Sequence, residues 1–347
     1  MNRGVFPLKF VLLGLGEVGM SLLSLLHHQE EAGRLKPGVL EFAGAADSSG
    51  YLLPERGLAV HDVISAKRAE GLCSLKGYLP GGTSLELVRS CDAELVIDCT
   101  PTNYSDGEPT TSCIRAAAEM RRHYVTASKG AMALQMTELL EFSRNHGTCL
   151  RFGATVGGGT PFLDFGRDCL YPQRVKALRG VLNGTTNFVL NSMEAGKSMQ
   201  SSLAEATELG YAETDPSNDI SGFDTAAKLV ILVNWIMGRH ITLGDVDITG
   251  ISGITSEDVI AAGKHGNVIR LIGSFGDRAI VRPEQIRRDD VLNVKGSLNA
   301  LTYDTEQAGP VTLTGQGAGG DSTAQAILRD ILSILRETRS SESGLYE

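Results

Sequence analysis

No stretch of this sequence is long and apolar enough to cross a bilayer. Leu229–Ile236, among its most apolar runs, falls far short of the about 20 residues a spanning helix needs. The six cysteines, Cys73, Cys91, Cys99, Cys113, Cys149 and Cys169, contain no CxxC pair and follow no signal peptide, so reduced thiols in the cytoplasm are expected. Basic charge is also in deficit. A net charge of −9 and an isoelectric point near 5.4 repel polyanions on average, which excludes a nucleic-acid partner. There is no proline-rich or single-residue tract, no internal repeat and no long linker, so disorder is excluded as well.

What the sequence does contain is enough material for two cores. Compact domains run about 100 to 200 residues, and 347 residues with 42% hydrophobic and 21% charged side chains make a two-domain globular chain. Residues 8–16, LKFVLLGLG, read as a parallel strand buried on both faces. The segment that follows places Val18, Leu22, Leu23 and Leu26 at helical spacing, with Gly33 as a stop. VLEFAGAADSSG, 93–102 and 124–129 add strands, and a helix is expected near 110–121. This alternation implies right-handed βαβ units and a parallel sheet.

After about residue 150 the texture changes. Glycine-rich turns in GATVGGGTPF, a strand-like RVKALRGVLNGTTNFVL and RLIGSFGDRAIVRPEQI mark an α+β domain, and VTLTGQGAGG reads as a turn before an amphipathic helix. The expected fold class is α/β, a Rossmann-type parallel-sheet nucleotide domain plus an α+β substrate and dimerisation domain. The expected boundaries are 1–148, 149–308, and a segment 309–347 packing back on the nucleotide domain.

Gly14, Gly16 and Gly19 spell GLGEVG where the first strand meets the first helix. In that context Gly14 allows the tight turn, Gly16 lets a pyrophosphate approach the backbone, and Gly19 lets helix and strand pack closely. Glu17 and Val18 open the helix whose N-terminus attracts phosphate. Asp47 ends the second strand, where a carboxylate accepts from ribose hydroxyls and repels a 2′-phosphate, a lean toward NAD. Lys67, Arg68 or Arg56 folding over a phosphate would favour NADP instead, so the coenzyme choice stays open. Thr100, Pro101 and Thr102 follow a strand at its carboxyl end, the edge where ligands bind, and are placed on the nicotinamide side.

The stretch from 208 to 238 carries acids where a core helix should start. Asp224 and Lys228 are four positions apart on a helix expected over about Ser221–Met237, so they share a face. The rest of that helix is apolar, which encloses the pair where charges are costly unless paired or used. Glu213 and Asp219 on the preceding loop add carboxylates suited to capturing a cationic amino group. Lys129 follows a strand at the edge of the nucleotide domain. His27, His28 and His265 read as solvated or loop residues, and Trp235 as core.

GLGEVG, CTPT, TASKGA, GATVGGGTPF, LNGTTNF, GYAETDPSNDISGFDTAAK and GQGAGGDSTAQAILRDI resemble, in order and spacing, the homoserine dehydrogenase family over about residues 8–335. The run Gly210–Lys228 is the most specific part. The resemblance implies an NAD- or NADP-dependent oxidoreductase that reduces L-aspartate 4-semialdehyde to L-homoserine, in a short form without a regulatory ACT-like extension and as a homodimer. Glu213, Asp219 and Asp224, with Gly184 and Thr185, are then expected to bind the amino acid. Lys228 is the expected acid–base lysine, and Lys129 is expected to stand between cofactor and substrate. Gly210, Gly317 and Gly319 are expected as backbone neighbours of the cofactor. One position departs: the glutamate that helps hold sodium in the family is Gly153 here, leaving only carbonyls of Val156, Gly158 and Thr160 for such an ion. Alternatives at this stage are a dehydrogenase for another amino-acid aldehyde and a catalytically silent nucleotide sensor, which would need no charged helix.

Overall fold

The computed structural model describes residues 7–338; residues 1–6 and 339–347, the outer ends of the expected first and third segments, lie outside them. Two compact units form. One runs to Thr155 and resumes at Thr323, and the other is Val156–Ser322. The division therefore falls neither at 148 nor at 308.

In the first unit the chain passes through β1 (Leu8–Leu13), α1 (Glu17–Glu31), β2 (Leu40–Asp47), β3 (Gly50–Leu52), α2 (Val60–Ala69), β4 (Tyr78–Pro80), α3 (Ser84–Ser90), β5 (Leu95–Asp98), α4 (Thr110–Glu119), β6 (His123–Thr126), α5 (Lys129–Asn145) and β7 (Leu150–Arg151). The sheet order is β4-β3-β2-β1-β5-β6-β7, and only β3 and β4 run antiparallel to their neighbours. β1 is central, with Leu13 paired to Ala46 on one side and to Asp98 on the other. Its apolar run is almost wholly buried, as a central strand of a parallel sheet requires. Leu22, Leu23 and Leu26 of α1 are buried as their spacing requires, each such side chain contributing about 1.5–3 kcal/mol.

The second unit holds α6 (Phe162–Asp164), β8 (Val175–Val181), α7 (Gly184–Glu194), α8 (Met199–Glu208), α9 (Ser217–Ile220), α10 (Phe223–Met237), β9 (Val246–Ile248), α11 (Ser256–Lys264), β10 (Asn267–Phe275), β11 (Ala279–Arg287), β12 (Leu298–Thr305) and β13 (Gly309–Gln316). Its sheet, β13-β12-β8-β10-β11-β9, is antiparallel except where β11 meets β9. Leu229–Val233 of α10 are fully buried.

Three local readings need correction. The strand-like RVKALRGVLNGTTNFVL stops at Val181. Asn183 accepts from Thr186 N and caps α7, so the Thr-rich half is helix. Of VTLTGQGAGG, residues 311–316 are not turn but the end of β13, paired with β12 in the second unit, and only 317–319 connect it to the last helix. Trp235 is only half-buried, with the Arg167 guanidinium 3.6 Å above its ring. The last helix, α12 (Gly320–Thr338), is amphipathic, and Ala324, Ile327, Ile331, Ile334 and Leu335 join Phe10 and Leu12 in one core.

Candidate active site

The second unit gathers charge at the start of α10. Asp224 and Lys228, one turn apart, are each only 6% exposed, and Lys228 Nζ lies 2.6 Å from Asp224 Oδ2. The lysine also donates to the carbonyl of Leu182 at 2.8 Å, at the end of the segment that follows β8. From the same segment the Asn183 amide nitrogen donates to Asp219 Oδ1 at 2.6 Å and to Asp224 Oδ2 at 2.9 Å. Two carboxylates and one ammonium thus meet around a single amide. Burial first, then the negative charge of Asp224, push the Asp219 carboxyl above its ordinary range, and the hydrogen bond from Asn183 with the charge of Lys228 only partly offset this. Thr185 Oγ1 donates to Tyr211 O at 2.6 Å, and the Gly184 backbone is pressed against Ser297 O.

Of the residues expected here, Asp219, Asp224 and Lys228 are brought together with Thr185. Glu213 is not; it stands exposed between α8 and α9, and no described hydrogen bond or ion pair links it to the cluster. Gly210 ends α8 with a positive φ, Gly319 is exposed before α12, and Gly317 is buried against the Asn299 side chain. Asn183 went unnoticed in the sequence, although Asn immediately before a helical run is a cap signal.

In the first unit the glycines of GLGEVG build a tight turn into α1. Gly14 has φ +87°, and a Cβ there would stand 2.6 Å from the Cys99 carbonyl; one on Gly19 would meet Gly14 O at 2.1 Å. Both positions therefore require glycine. A Cβ on exposed Gly16 would meet nothing within 4 Å, so the N-terminus of α1, with Glu17 exposed and Val18 half-buried, is open to a phosphate group. This geometry fits a dinucleotide. Asp47 at the end of β2 accepts from Ser49 N and Oγ at 2.9 and 2.6 Å, and Lys67 Nζ closes on its other oxygen. Burial would raise this carboxyl, but the bonds from Lys67 and Ser49 prevail and hold it below the usual range. Thr100 and Pro101 follow β5, and half-buried Lys129 opens α5 with its N–H on Thr102 Oγ1 at 3.2 Å.

The chain as a whole is similar to known enzymes. Homoserine dehydrogenase of Methanocaldococcus jannaschii is 39% identical over 96% of this chain and 100% of its own length. The chain belongs to the homoserine dehydrogenase family. The homoserine dehydrogenase family model matches residues 161–332. An NAD(+)-dependent homoserine dehydrogenase from Pseudomonas canavaninivorans is 33% identical over 97% of this chain and 99% of its own. A mutant homoserine dehydrogenase of a hyperthermophilic archaeon, solved in complex with NADPH, superposes with a TM-score of 0.82 at 25% identity, covering 95% of this chain and 98% of that one. Homoserine dehydrogenases are oxidoreductases that use NAD(P), and the α/β fold here is theirs.

The sodium site of the homoserine dehydrogenase family does not fit these residues. Gly153 brings no carboxylate, and a Cβ there would lie 2.8 Å from Asp330 Oδ1, while its N–H donates to Asp330 Oδ2 at 2.8 Å. Of the expected carbonyls, that of Thr160 already accepts from Phe162 N at 2.8 Å. Among the described residues no group of three or more His, Cys, Asp or Glu is arranged to hold a metal ion.

Proposed function

We propose that this chain catalyses the reversible NAD(P)H-dependent reduction of L-aspartate 4-semialdehyde to L-homoserine. The observation that carries the reading is the Asp219–Asn183–Asp224–Lys228 cluster, because it offers an amino acid both things it needs. The carboxylates attract the ammonium group, with Glu213 a further acid on the adjoining loop. That end of the substrate fixes the aldehyde in place. When bound, NAD(P)H supplies the hydride that reaches the carbonyl carbon. The electron pair displaced onto oxygen makes an alkoxide, and Lys228 Nζ–H supplies its proton; in the reverse direction the same nitrogen takes it back. Lys129 lends positive charge as the alkoxide forms.

Asp47 is read as the ribose ligand, with a preference for NAD, because Lys67 is drawn onto that carboxylate rather than left for a 2′-phosphate. No described helix is long and apolar enough to cross a membrane, and the proposed working form is a cytoplasmic homodimer assembled through the second unit, supported by the family resemblance and tested by sedimentation.

The decisive experiment follows NADH and NADPH absorbance with purified protein and L-aspartate 4-semialdehyde, wild type against Lys228→Ala. The expected result is turnover by the wild type and a loss of kcat of about 10²–10⁴ in the variant, the range for removing a general acid, with KM little changed. Near-normal kcat in Lys228→Ala would remove the lysine from proton transfer.

A further inference from the structure

Asp98 closes β5 and is completely buried, yet its described partners are all neutral. Oδ1 accepts from Thr100 N at 2.8 Å and Thr100 Oγ1 at 2.6 Å. Oδ2 accepts from Thr110 Oγ1 at 2.7 Å, Tyr124 OH at 3.1 Å and Thr126 Oγ1 at 3.3 Å. Taking a carboxylate out of water costs several kcal/mol, so such a group persists only where hydrogen bonds stand in for a counter-ion. Here donors saturate the about four lone-pair positions of the two oxygens. Burial first and Asp98 second push up the Tyr124 hydroxyl and the Cys113 thiol, the latter to about 12.

The cage joins two loops at the carboxyl edge of the sheet. One is the turn after β5, anchored through both the backbone and hydroxyl of Thr100. The other leaves β6. Thr126 Oγ1 donates to Asp98 and accepts from Ser128 N at 3.0 Å, and the next residue, Lys129, returns its N–H to Thr102 Oγ1. Thr100, Pro101 and Lys129 therefore hang on one carboxylate.

We propose that Asp98 is a positioning residue for hydride transfer, its carboxylate locking the Thr100–Pro101 turn and the Thr126–Lys129 segment into one frame that orients the nicotinamide ring. This rests on the reading that the nicotinamide end of the coenzyme lies at this edge. Asp98 touches no reacting atom; it acts through the two loops.

The test uses the full chain carrying Asp98→Asn, which keeps the shape but puts an amide donor among hydroxyl donors, with Thr126→Val, Thr126→Ser and Thr100→Val beside it. Tm, kcat and the Kd of ADP-ribose (or its 2′-phosphate for an NADP enzyme) are measured. The probe carries all of the coenzyme except the nicotinamide ring. Asp98→Asn is expected to fold, to lose tenfold or more in kcat, and to bind ADP-ribose within twofold of wild type. Thr126→Val should lose kcat in the same way, and Thr126→Ser, which keeps the donor, should restore it. A folded Asp98→Asn with wild-type kcat, or with ADP-ribose affinity falling in step with kcat, overturns the proposal. Should Asp98→Asn fail to fold, equal kcat in Thr126→Val and Thr126→Ser overturns it instead. Thr100→Val separates the two ideas: wild-type kcat and NADH KM there refute the nicotinamide placement itself, whereas an impaired Thr100→Val beside an unimpaired Asp98→Asn refutes only the role of Asp98.

Discussion

Asn183 Nδ2 donates to Asp224 Oδ2 at 2.9 Å, the same oxygen that Lys228 Nζ approaches to 2.6 Å. The amide therefore sets where the carboxylate can stand, and through it where the lysine stands. Asn183 also caps α7 through Thr186 N at 2.8 Å, so one side chain holds both a helix start and the charged cluster.

Those two roles separate by substitution. Asn183→Ala should lower unfolding free energy by about 0.5–2 kcal/mol, the usual loss of a helix cap, and also raise KM for the semialdehyde. Asn183→Asp keeps a capping oxygen but sets a third acid beside Asp219 and Asp224. It should keep more of the stability and lose more kcat/KM. Thermal unfolding and steady-state kinetics on both variants decide; a kinetic loss in Asn183→Ala with wild-type kinetics in Asn183→Asp would mean the amide acts through the cap alone.

Asp219 gives a pH dependence of definite sign. Its folded pKa is raised above the ordinary 3.8, so between the two values the native state binds the extra proton. Stability then increases as pH falls through that window, and is lost as pH rises through it. Amine capture runs the other way, because protonation removes a carboxylate, so KM for the amino acid should rise as pH falls. Asp219→Asn should flatten both profiles. A wild-type KM profile in that variant would assign the acid limb to another group.

At the adenosine end the Asp47–Lys67 pair is expected to set coenzyme choice. Asp47→Ala removes the ribose acceptor and releases Lys67, so the NADPH-to-NADH affinity ratio should swing toward NADPH by about tenfold or more, in line with about 1.5–3 kcal/mol for a charge-assisted hydrogen bond. Fluorescence titration with each coenzyme measures it. An unchanged ratio would show that Asp47 does not face the ribose.

Restoring the glutamate at position 153 should harm rather than help. A Cβ there meets Asp330 Oδ1 at 2.8 Å, so Gly153→Glu adds overpacking, about 1–3 kcal/mol, to the repulsion of two acids. A lower Tm with no gain on adding sodium is expected; a Tm rise specific to sodium would reverse that view.

Much of the nucleotide unit was legible because its signals are local. The apolar β1, the GLGEVG turn and the Leu22, Leu23 and Leu26 stripe lie within a few residues of one another. The Asp224–Lys228 pair was legible for the same reason, one helical turn of spacing. The Thr-rich start of α7 read as strand because β-branched residues favour extended structure, and a cap overrode that preference. The Asn183 bridge spans 36 positions to Asp219, and the Asp98 cage reaches Tyr124 and Thr126, 26 and 28 positions on. Neither leaves a periodic trace, since each depends on strand order.

Because α12 completes the core built by β1 and α1, the nucleotide unit is sewn from both extremities of the chain while the second unit is one uninterrupted stretch. During synthesis from the N-terminus, the second unit can close as soon as β13 has emerged. The coenzyme-binding core has to wait for the final helix with one hydrophobic face still wet. Losing that helix would thus strike first at a cradle whose glycines lie some three hundred residues upstream.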